Sequence, residues 1–277
     1  MRPDSPAPQT AEDLVRLGRD ALRQNRLSDA RAAFEQALTL DKDCLAAHQK
    51  LSGLRFPGED YYGLLGRLHH VLRPKTYVEI GVETGASMAL ALPGTKCVGI
   101  DPEPQITVKG PVEAKIFALR SSEFFANHDL TSILDGEPVE LGFIDGLHVF
   151  ESSLADFLNL ERFCSPRGTL LIHDCLPLNE TTAARKRQTR FWTGDVWRML
   201  PTLARFRPEL SLAVVACKPS GLAIIRGLNP RSSFSAQEYA EAVAFGLSLK
   251  FEETHALQTY GIKLISNDWD EIARALA

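Results

Sequence analysis

The sequence lacks the features that mark membrane, secreted and zinc-binding proteins. No apolar run in its 277 residues approaches the roughly 18 residues that a membrane span needs. The proline-rich start, MRPDSPAPQT, is not followed by the apolar core of a signal peptide. The five cysteines are scattered and form no CxxC pair, which argues against a disulfide framework and a structural zinc site. We therefore expect a cytoplasmic protein with reduced thiols and no membrane partner.

An excess of positive charge is also absent. The chain has 31 Lys and Arg residues against 35 Asp and Glu residues, which gives a formal net charge of -4 without any long basic block. Because nucleic-acid-binding domains usually carry a basic patch or stripe, we expect no nucleic acid partner. The hydrophobic composition of 44% is sufficient for one large core, or for one core with a small additional module.

The first part of the chain has helical periodicity. Residues 11–54 are rich in Ala, Leu, Arg and Gln, and apolar residues recur at helical spacing. The packing positions, such as Gly18, Ala30 and Phe34, resemble one tetratricopeptide repeat followed by the first helix of a second. Because such repeats need about three units to be stable alone, we expect this segment to dock on the rest of the chain or on a partner subunit. Binding of a separate partner protein is the alternative.

Beyond residue 60, short apolar strands alternate with helices. A further helix is predicted over about 60–72. The predicted strands are 76–80, 96–100, 115–119, 139–145, 168–173, 211–216 and 221–226, with helices near 85–92, 121–127, 150–164 and 194–206. This pattern predicts an α/β fold, a Rossmann-like, doubly wound, mostly parallel seven-stranded sheet that helices cover on both faces. Ligands of such sheets bind beyond the carboxyl ends of the strands, where the strand order reverses.

These patterns divide the chain into four segments. They are a disordered N-terminus (1–10), a small tetratricopeptide-like helical module (11–56), the α/β domain (57–230) and a helical C-terminal extension (231–277). The extension is predicted to be helical at both ends, and it has two alternative packing partners, the N-terminal module or a second subunit. The helical segments at the two ends are thus the expected contacts of a homo-oligomer.

Polar residues follow several predicted strands at the point where each strand ends. Because the carboxyl ends of parallel strands meet at one edge of the sheet, three carboxylates and two histidines should converge there. This convergence predicts a shared functional site. The strand-end segments are 79–87, Asp101, Arg120-Ser121-Ser122, Asp145-Gly146-Leu147-His148 and His173-Asp174-Cys175.

The turn after the first strand has the spacing E-x-G-x-x-x-G-x-S, which differs from the G-x-G-x-x-G of a dinucleotide site. Gly81 permits a close backbone approach and Gly85 opens the predicted helix, where Ser87 offers a hydroxyl and backbone N–H groups to a carboxylate. Asp101, which ends the second strand, can accept hydrogen bonds from ribose hydroxyls. Together they predict an adenosine ligand with a carboxylate tail and no pyrophosphate. The missing glycine disfavours the rival interpretation of a nicotinamide-dependent oxidoreductase.

That ligand description fits S-adenosylmethionine, and the sequence resembles the class I S-adenosylmethionine-dependent methyltransferases over residues 60 to about 227. It is most similar to a bacterial family of macrolide-sugar and cephalosporin-cluster methyltransferases, which is itself similar to catechol O-methyltransferase. The resemblance implies an O-methyltransferase that acts on a hydroxyl of a small molecule, such as a sugar or natural product. The segments that carry it are VEIGVETGAS, GIDPEP, FIDGLHVFESSLADF, GTLLIHDCLP and FWTGDVWRML.

The resemblance also implies which residues bind the cofactor. Glu79 and the glycine turn would hold its methionine end, with Ser87 near the carboxylate. Asp101 would bind the ribose, and the turn at 121–122 would lie near the adenine. The implied cofactor-binding residues are Glu79, Gly81, Thr84, Gly85, Ser87, Asp101, Ser122 and Asp145.

In metal-dependent relatives, an Asp that ends strand four and an acidic pair that ends strand five hold Mg²⁺, and a base lies three residues after the first Asp. By resemblance, Asp145 and Asp174 would be the metal ligands and His148 the base. Transfer to a hydroxyl requires a base with a pKa near neutrality, which independently favours His148. At the second metal position, however, Asp174 is flanked by His173 and Cys175, and a thiol is a poor Mg²⁺ ligand.

Two alternatives for the chemistry therefore stay open. In the first, Mg²⁺ lowers the pKa of the acceptor and orients it. In the second, no metal binds, and the catalytic residues are His148 and His173 as a general base pair with Asp145. Asp145 would then hold the cofactor amine or orient an imidazole.

The segment NETTAARKRQTRFWTGDVWRML is polar, then basic, then aromatic, which is typical of a lid or an acceptor-binding loop. Its basic residues could attract a carboxylated or phosphorylated acceptor, or they could form a solvated face. They are Arg185, Lys186, Arg187 and Arg190.

A rival function from another class is a non-catalytic scaffold or assembly protein that retains the methyltransferase fold. The two functions differ in whether Asp145, His148 and Asp174 converge within about 4 to 6 Å of one another beside the cofactor sulfur.

Overall fold

The computed structural model describes residues 10–110, 114–252 and 257–277. The segment 1–10, expected to be disordered, lies outside the described residues except for Thr10. The side chain of Thr10 caps the first helix by accepting a hydrogen bond from the backbone N–H of Asp13.

Three helices form the N-terminal module, as the helical periodicity predicts. They are α1 (Ala11–Arg23), α2 (Leu27–Leu40) and α3 (Leu45–Arg55). Helices α1 and α2 pack closely because Gly18 admits the ring of Phe34, which a Cβ at position 18 would approach to 2.5 Å. The helices of this segment are confirmed, whereas their assignment as a tetratricopeptide repeat stays a prediction.

The centre of the fold is an eight-stranded sheet in the order β3-β2-β1-β4-β5-β7-β6-β8. Strand β7 is antiparallel to both of its neighbours, and the other neighbouring pairs are parallel. The strands are β1 (Thr76–Ile80), β2 (Lys96–Ile100), β3 (Ala114–Phe117), β4 (Val139–Ile144), β5 (Cys164–His173), β6 (Ser211–Val215), β7 (Leu222–Arg226) and β8 (Lys263–Ile265).

The predicted number of seven strands is wrong. The C-terminal extension supplies β8, which pairs in parallel with β6 at the edge of the sheet. This strand has only three residues and begins with an exposed lysine, so it lacks the apolar run by which the other strands are recognised.

The remaining helices cover both faces of the sheet. They are α4 (Tyr61–Leu72), α5 (Ser121–Asn127), α6 (Leu130–Ile133), α7 (Phe150–Glu161), α8 (Met199–Phe206), α9 (Ala236–Ser248) and α10 (Trp269–Leu276). The helix predicted near 85–92 is wrong, because only a 3₁₀ turn, Met88–Leu90, forms there. Gly85 has a left-handed φ of +82°, and Ala91 is already extended ahead of Pro93, so the chain cannot form a full helix between them.

Alternate side chains of the strands enter two separate cores. Val78 and Ile80 face the core beneath α5, α7 and α8, whereas Tyr77 faces the core beneath α4 and α10. The result is a mixed α/β fold of the Rossmann type. In the extension, α9 packs on α8 and α10 packs on β7.

None of the helices in the described parts of the chain is long and apolar enough to cross a membrane.

Candidate active site

A cavity of about 1110 Å³ opens at the carboxyl ends of β1, β2, β4 and β5. The chain runs outward from β1 to β3 on one side and from β4 to β5 on the other, so the strand order reverses between β1 and β4. Most of the predicted site residues line this cavity, which is where a doubly wound sheet binds its ligands. They are Gly81, Thr84, Ser87, Asp101, Ser122, Asp145, His148, His173 and Asp174.

The glycine turn is shaped by contact with the protein's own backbone. Gly81 has a φ of +90°, and a Cβ at this position would overlap the carbonyl oxygen of Asp145. Its N–H donates to the carbonyl oxygen of Ile100, 2.9 Å away. Glycine is therefore required where the turn after β1 lies against the ends of β2 and β4.

Glu79 lies beneath this turn and does not line the cavity. The side chain is fully buried, and its carboxyl oxygens accept hydrogen bonds from the hydroxyls of Ser87 and Tyr77. Burial raises the pKa of Glu79 to about 8, although both hydroxyls oppose the shift. Glu79 therefore fixes the side chain of Ser87 against the end of β1. The predicted contact of Glu79 with a cofactor stays a prediction.

Asp101 joins the end of β2 to the glycine turn. One carboxylate oxygen accepts from the backbone N–H groups of Val82 and Glu83, both at 2.9 Å, and the other accepts from Glu103 at 2.8 Å. A carboxylate has about four acceptor positions, so Asp101 can still accept a hydrogen bond from a ligand hydroxyl. The structure thus leaves it available at the cavity wall.

Four titratable side chains at the ends of β4 and β5 form one network, here called the Asp–His tetrad: Asp145, His148, His173 and Asp174. Nδ1 of His148 lies 3.0 Å from Oδ2 of Asp174, and Nε2 of the same ring lies 3.4 Å from Oδ1 of Asp145. Nδ1 of His173 lies 3.2 Å from that same Asp145 oxygen. Asp145, His148 and Asp174 offer atoms within 4.8 Å of one another. Their convergence is thus present, whereas its position beside a cofactor sulfur stays a prediction.

The charges in the tetrad stabilise each other. Burial alone would lower the pKa of His148, but Asp174 and Asp145 outweigh it and raise the pKa well above the usual 6.5. Burial would likewise raise the pKa of Asp145, but His173 and His148 hold that pKa well below its usual range. The tetrad therefore favours protonated imidazoles beside ionised carboxylates.

The donor set of the tetrad does not fit Mg²⁺. That ion requires near-octahedral coordination by oxygen, whereas two of the four donors here are imidazoles. Both carboxylates already lie within hydrogen-bond distance of these rings, at 3.0 Å for Asp174 with His148 and 3.2 Å for Asp145 with His173. Cys175 adds no ligand, because its buried thiol lies against the carbonyl oxygen of Ile172 at 3.3 Å.

Two aromatic residues that the sequence analysis did not single out form part of the cavity wall. Tyr61 and Tyr62 begin α4 directly after its cap, Asp60. The Tyr61 ring stacks on His173 with ring centroids 4.1 Å apart. A helix cap followed by two aromatic residues is the only signal in the sequence, and it precedes the first strand, far along the chain from the other site residues.

Asp156 and Asn159 of α7 also line the cavity and were not predicted. Asp156 is buried, and burial raises its pKa to about 6, although a hydrogen bond with Ser121 opposes the shift. Both residues belong to a helix that the sequence shows mainly through its apolar face, so their exposure to the cavity depends on how α7 packs.

The chain between β5 and the next helical turn, residues 176–195, is here called the acceptor segment. Within it the structure forms no helix or strand, and five of its residues line the cavity: Arg187, Arg190, Phe191, Trp192 and Thr193. The Trp192 ring stacks on His148 at a centroid distance of 5.3 Å, and its carbonyl oxygen lies 3.1 Å from Nδ1 of that ring. The segment has the position expected of a lid or acceptor loop, and that role stays a prediction.

Two of the basic residues in this segment are engaged in ion pairs. Arg185 pairs with Glu151 at 2.6 Å and with Asp195 at 3.2 Å. Arg190 pairs with Asp43 of the helical module at 2.9 Å. Both arginine side chains are still 49% and 62% exposed, so the two interpretations of the basic run, acceptor binding and a solvated face, both stay open.

A family model described as a methyltransferase domain matches residues 78–175. The match begins inside β1 and ends directly after Asp174, so it spans the strand ends that build the cavity. Among curated proteins, none matches this sequence.

Solved structures with a similar fold are distant in sequence. Cofactor-bound Rv0187 from MTB is 18% identical, with a TM-score of 0.47 over 72% of this chain and 95% of that one. The O-methyltransferase TomG from Streptomyces achromogenes, involved in tomaymycin synthesis and solved with SAM, is 16% identical, with a TM-score of 0.46 over 72% and 88%. An O-methyltransferase from Bacillus cereus, solved with SAH, is 15% identical, with a TM-score of 0.43 over 70% and 96%.

Proposed function

We propose that this chain is an S-adenosylmethionine-dependent O-methyltransferase that acts on a hydroxyl of a small molecule, such as a sugar or natural product. The observation that carries the proposal is the single cavity that joins the glycine turn, Asp101 and the Asp–His tetrad. The match of residues 78–175 to a methyltransferase domain supports it, because that match covers the same strand ends.

The two ends of the cavity suit the two ends of the cofactor. Asp101 and Ser122 are proposed to bind the adenosine, with the buried Asp156 beside them. Thr84, Ser87 and the backbone of the glycine turn are proposed to hold the methionine end. This places the reactive centre toward the tetrad, since Asp145 packs directly against Gly81.

The bound cofactor would supply an electrophilic methyl group on a sulfonium, which an acceptor oxygen attacks in line as the carbon–sulfur bond breaks. The acceptor must lose its proton, and His148 is the proposed base, which acts in its neutral form. Because Asp174 and Asp145 raise the pKa of His148, this neutral form becomes more abundant as the pH rises. Two acceptors lie near its Nδ1, an Asp174 oxygen at 3.0 Å and the Trp192 carbonyl at 3.1 Å, whereas Nε2 has one more distant acceptor, an Asp145 oxygen at 3.4 Å. In the neutral ring the hydrogen is therefore assigned to Nδ1. Nε2 is then the atom that takes the acceptor proton.

The remaining members of the tetrad stabilise the product of that proton transfer. Oδ1 of Asp145, 3.4 Å from Nε2, faces the imidazolium that forms on His148. Asp174 holds the ring from the other side, in the manner of the carboxylate that orients a catalytic histidine. In this proposal the chain itself supplies the base, His148, and the negative charge that stabilises its protonated form, Asp145. Most of the rate enhancement would come from positioning the acceptor oxygen against the methyl group.

Calorimetric titration of S-adenosylhomocysteine into the protein tests this proposal. We expect micromolar binding that is lost in Asp101→Ala and is unchanged by Mg²⁺. An absence of binding to the unaltered protein would reject the cofactor assignment and favour the scaffold function. A requirement for Mg²⁺ would restore the metal-dependent alternative.

A further inference from the structure

The helical module holds the acceptor segment at both of its ends. At the beginning, Arg55 at the end of α3 donates from Nη1 to the carbonyl oxygens of Pro177 at 2.7 Å and Leu178 at 3.3 Å. Near the far end, the carboxylate of Asp43 accepts from the backbone N–H of Arg190 at 2.6 Å and from its Nε at 2.9 Å. The two anchors enclose most of the segment, including residues 185–190, whose Lys and Arg side chains are those that trypsin recognises.

An aromatic contact lies beside the second anchor. The ring of His48 in α3 stacks on Phe191, with centroids 5.3 Å apart and an interplanar angle of 18°. Both side chains are buried, and Nε2 of His48 lies 2.9 Å from the carbonyl oxygen of Lys42, which fixes the ring. The stack therefore joins the module to the segment through a desolvated interface.

The residue that follows Phe191 contacts the proposed base, His148. Phe191 precedes Trp192, whose ring stacks on His148 and whose carbonyl oxygen faces Nδ1 of that histidine. Leu45, at the start of α3, also lines the cavity itself. The module thus contributes Leu45 to the cavity wall. It also holds the backbone next to Trp192, the residue that contacts His148.

We propose that the helical module is part of the acceptor site, with Asp43 and His48 as positioning residues that hold the acceptor segment against the Asp–His tetrad. In this arrangement the module serves the chain's own active site, and its two anchors keep Trp192 on His148. The inference rests on the proposed function only where it calls the site an acceptor site.

Limited trypsin digestion of Asp43→Ala, with cleavage sites mapped by mass spectrometry, tests the anchor without any need for an acceptor. Cleavage after Lys186 and Arg187 should become about 5- to 10-fold faster, because proteolysis follows the population of the open segment. Asp43→Asn keeps an oxygen acceptor for only one of the two Arg190 donors and places an amide NH₂ at the other, so it should restore only part of the protection. Asp20→Ala is the matched control, because Asp20 pairs with Arg23 in the same module at a similar side-chain exposure, 46% against 43%.

A second variant changes the other residue of the ion pair, Arg190 of the acceptor segment. Arg190→Ala does not change the internal packing of the module. It therefore still tests the anchor by trypsin digestion if Asp43→Ala does not fold. It should also accelerate cleavage after Lys186 and Arg187. Rates within twofold of the unaltered protein in both variants, or equal acceleration in the Asp20→Ala control, would overturn the proposal.

A spectroscopic measurement connects the anchor to Trp192. The emission of Trp192 is obtained as the difference between a protein and its Trp192→Phe counterpart, measured with and without Asp43→Ala. A red shift of this difference spectrum is expected with Asp43→Ala and not with Asp20→Ala, because release of the segment exposes the indole. An unchanged spectrum would show that Asp43 does not position Trp192.

Binding of S-adenosylhomocysteine separates this inference from the proposed function. Its affinity should differ by less than twofold between Asp43→Ala and the unaltered protein, because the anchor lies on the acceptor side. If neither protein binds it, the proposed function fails, while the digestion result still decides whether the module holds the segment. A loss of affinity confined to Asp43→Ala would contradict an acceptor-side role.

Discussion

Single residues in the turn after β1 carry steric and electrostatic constraints that can be tested separately. Gly81 has to be a glycine for two reasons, its left-handed φ of +90° and the close carbonyl oxygen of Asp145. Gly94 has nearly the same φ, +92°, but a Cβ there would have nothing within 4 Å. The pair therefore separates the cost of the backbone conformation from the cost of the steric overlap.

Gly81→Ala should lower the free energy of unfolding much more than Gly94→Ala. The left-handed conformation alone costs a residue with a side chain roughly 1–2 kcal/mol, whereas overlap with fixed backbone adds several more. Urea unfolding of both variants measures the difference. Equal losses would mean that the turn relaxes away from Asp145.

Glu79 makes stability depend on pH. Its pKa is about 8 in the folded protein and near 4.5 when exposed, so the folded state binds the proton more tightly. The contribution of Glu79 to stability is therefore fully present below about pH 4.5 and is lost as the pH rises to about 8. Glu79→Gln should remove this dependence and be the more stable protein at pH 8, by about 1.4 kcal/mol for each unit of the pKa shift. Urea unfolding at pH 5 and pH 8 checks this, and a pH-independent difference would contradict it.

His148→Ala should leave the affinity for S-adenosylhomocysteine nearly unchanged while methyl transfer falls by roughly 10² to 10⁴. The reason is that Nε2 removes the acceptor proton but does not bind the cofactor in this proposal. Turnover is measured with an acceptor found by screening hydroxylated small molecules. A variant that retains full turnover would remove His148 from the mechanism.

At the scale of elements, α7 is fixed by a buried ion pair as well as by apolar packing. Arg207, which follows α8, donates to both carboxylate oxygens of Glu161 at 2.6 and 2.8 Å, and both side chains are buried. Its Nε also donates to Glu209, whose side chain is 47% exposed. Because α7 carries Asp156 on the cavity wall, the buried pair helps to set the geometry of the site.

Glu161→Gln should lower the free energy of unfolding by about 3 kcal/mol, because it leaves the buried Arg207 charge with only the half-exposed Glu209 as a counter-ion. Glu209→Gln weakens a pair that water already screens and should cost less than about 1 kcal/mol. Thermal and urea unfolding of the two variants make the comparison. Similar losses would mean that water reaches Arg207 in the folded protein.

The elements that the sequence predicted are those with a strong local signal. Strands β1, β2, β4 and β7 are apolar and buried, and their predicted positions agree with the structure to within one residue. The prediction of a helix after β1 was wrong, because the left-handed conformation of Gly85 outweighs the helical preference of the alanines and leucines that follow it. Strand β8 was missed because it is held by pairing with β6 and not by its own composition.

At the scale of the whole molecule, the candidate site combines two groups of residues that differ in how predictable they are from the sequence. The strand-end residues could be predicted, since parallel strands bring their carboxyl ends to one edge whatever their separation in sequence. Tyr61, Asp156 and the contact between Asp43 and Arg190 could not, because each depends on how helices dock over long sequence distances. The helical module belongs to this second group: its helices were predictable, and its contact with the acceptor segment was not.

The most direct test of the central claim is a crystal structure of the protein with S-adenosylhomocysteine. If an acceptor oxygen is to lie about 3 Å from the methyl carbon and within hydrogen-bond reach of the base, the cofactor sulfur must lie within about 8 Å of Nε2 of His148. We expect this distance, with the ribose at Asp101. A sulfur that points away from the Asp–His tetrad, or a ligand bound outside the cavity, would contradict the account.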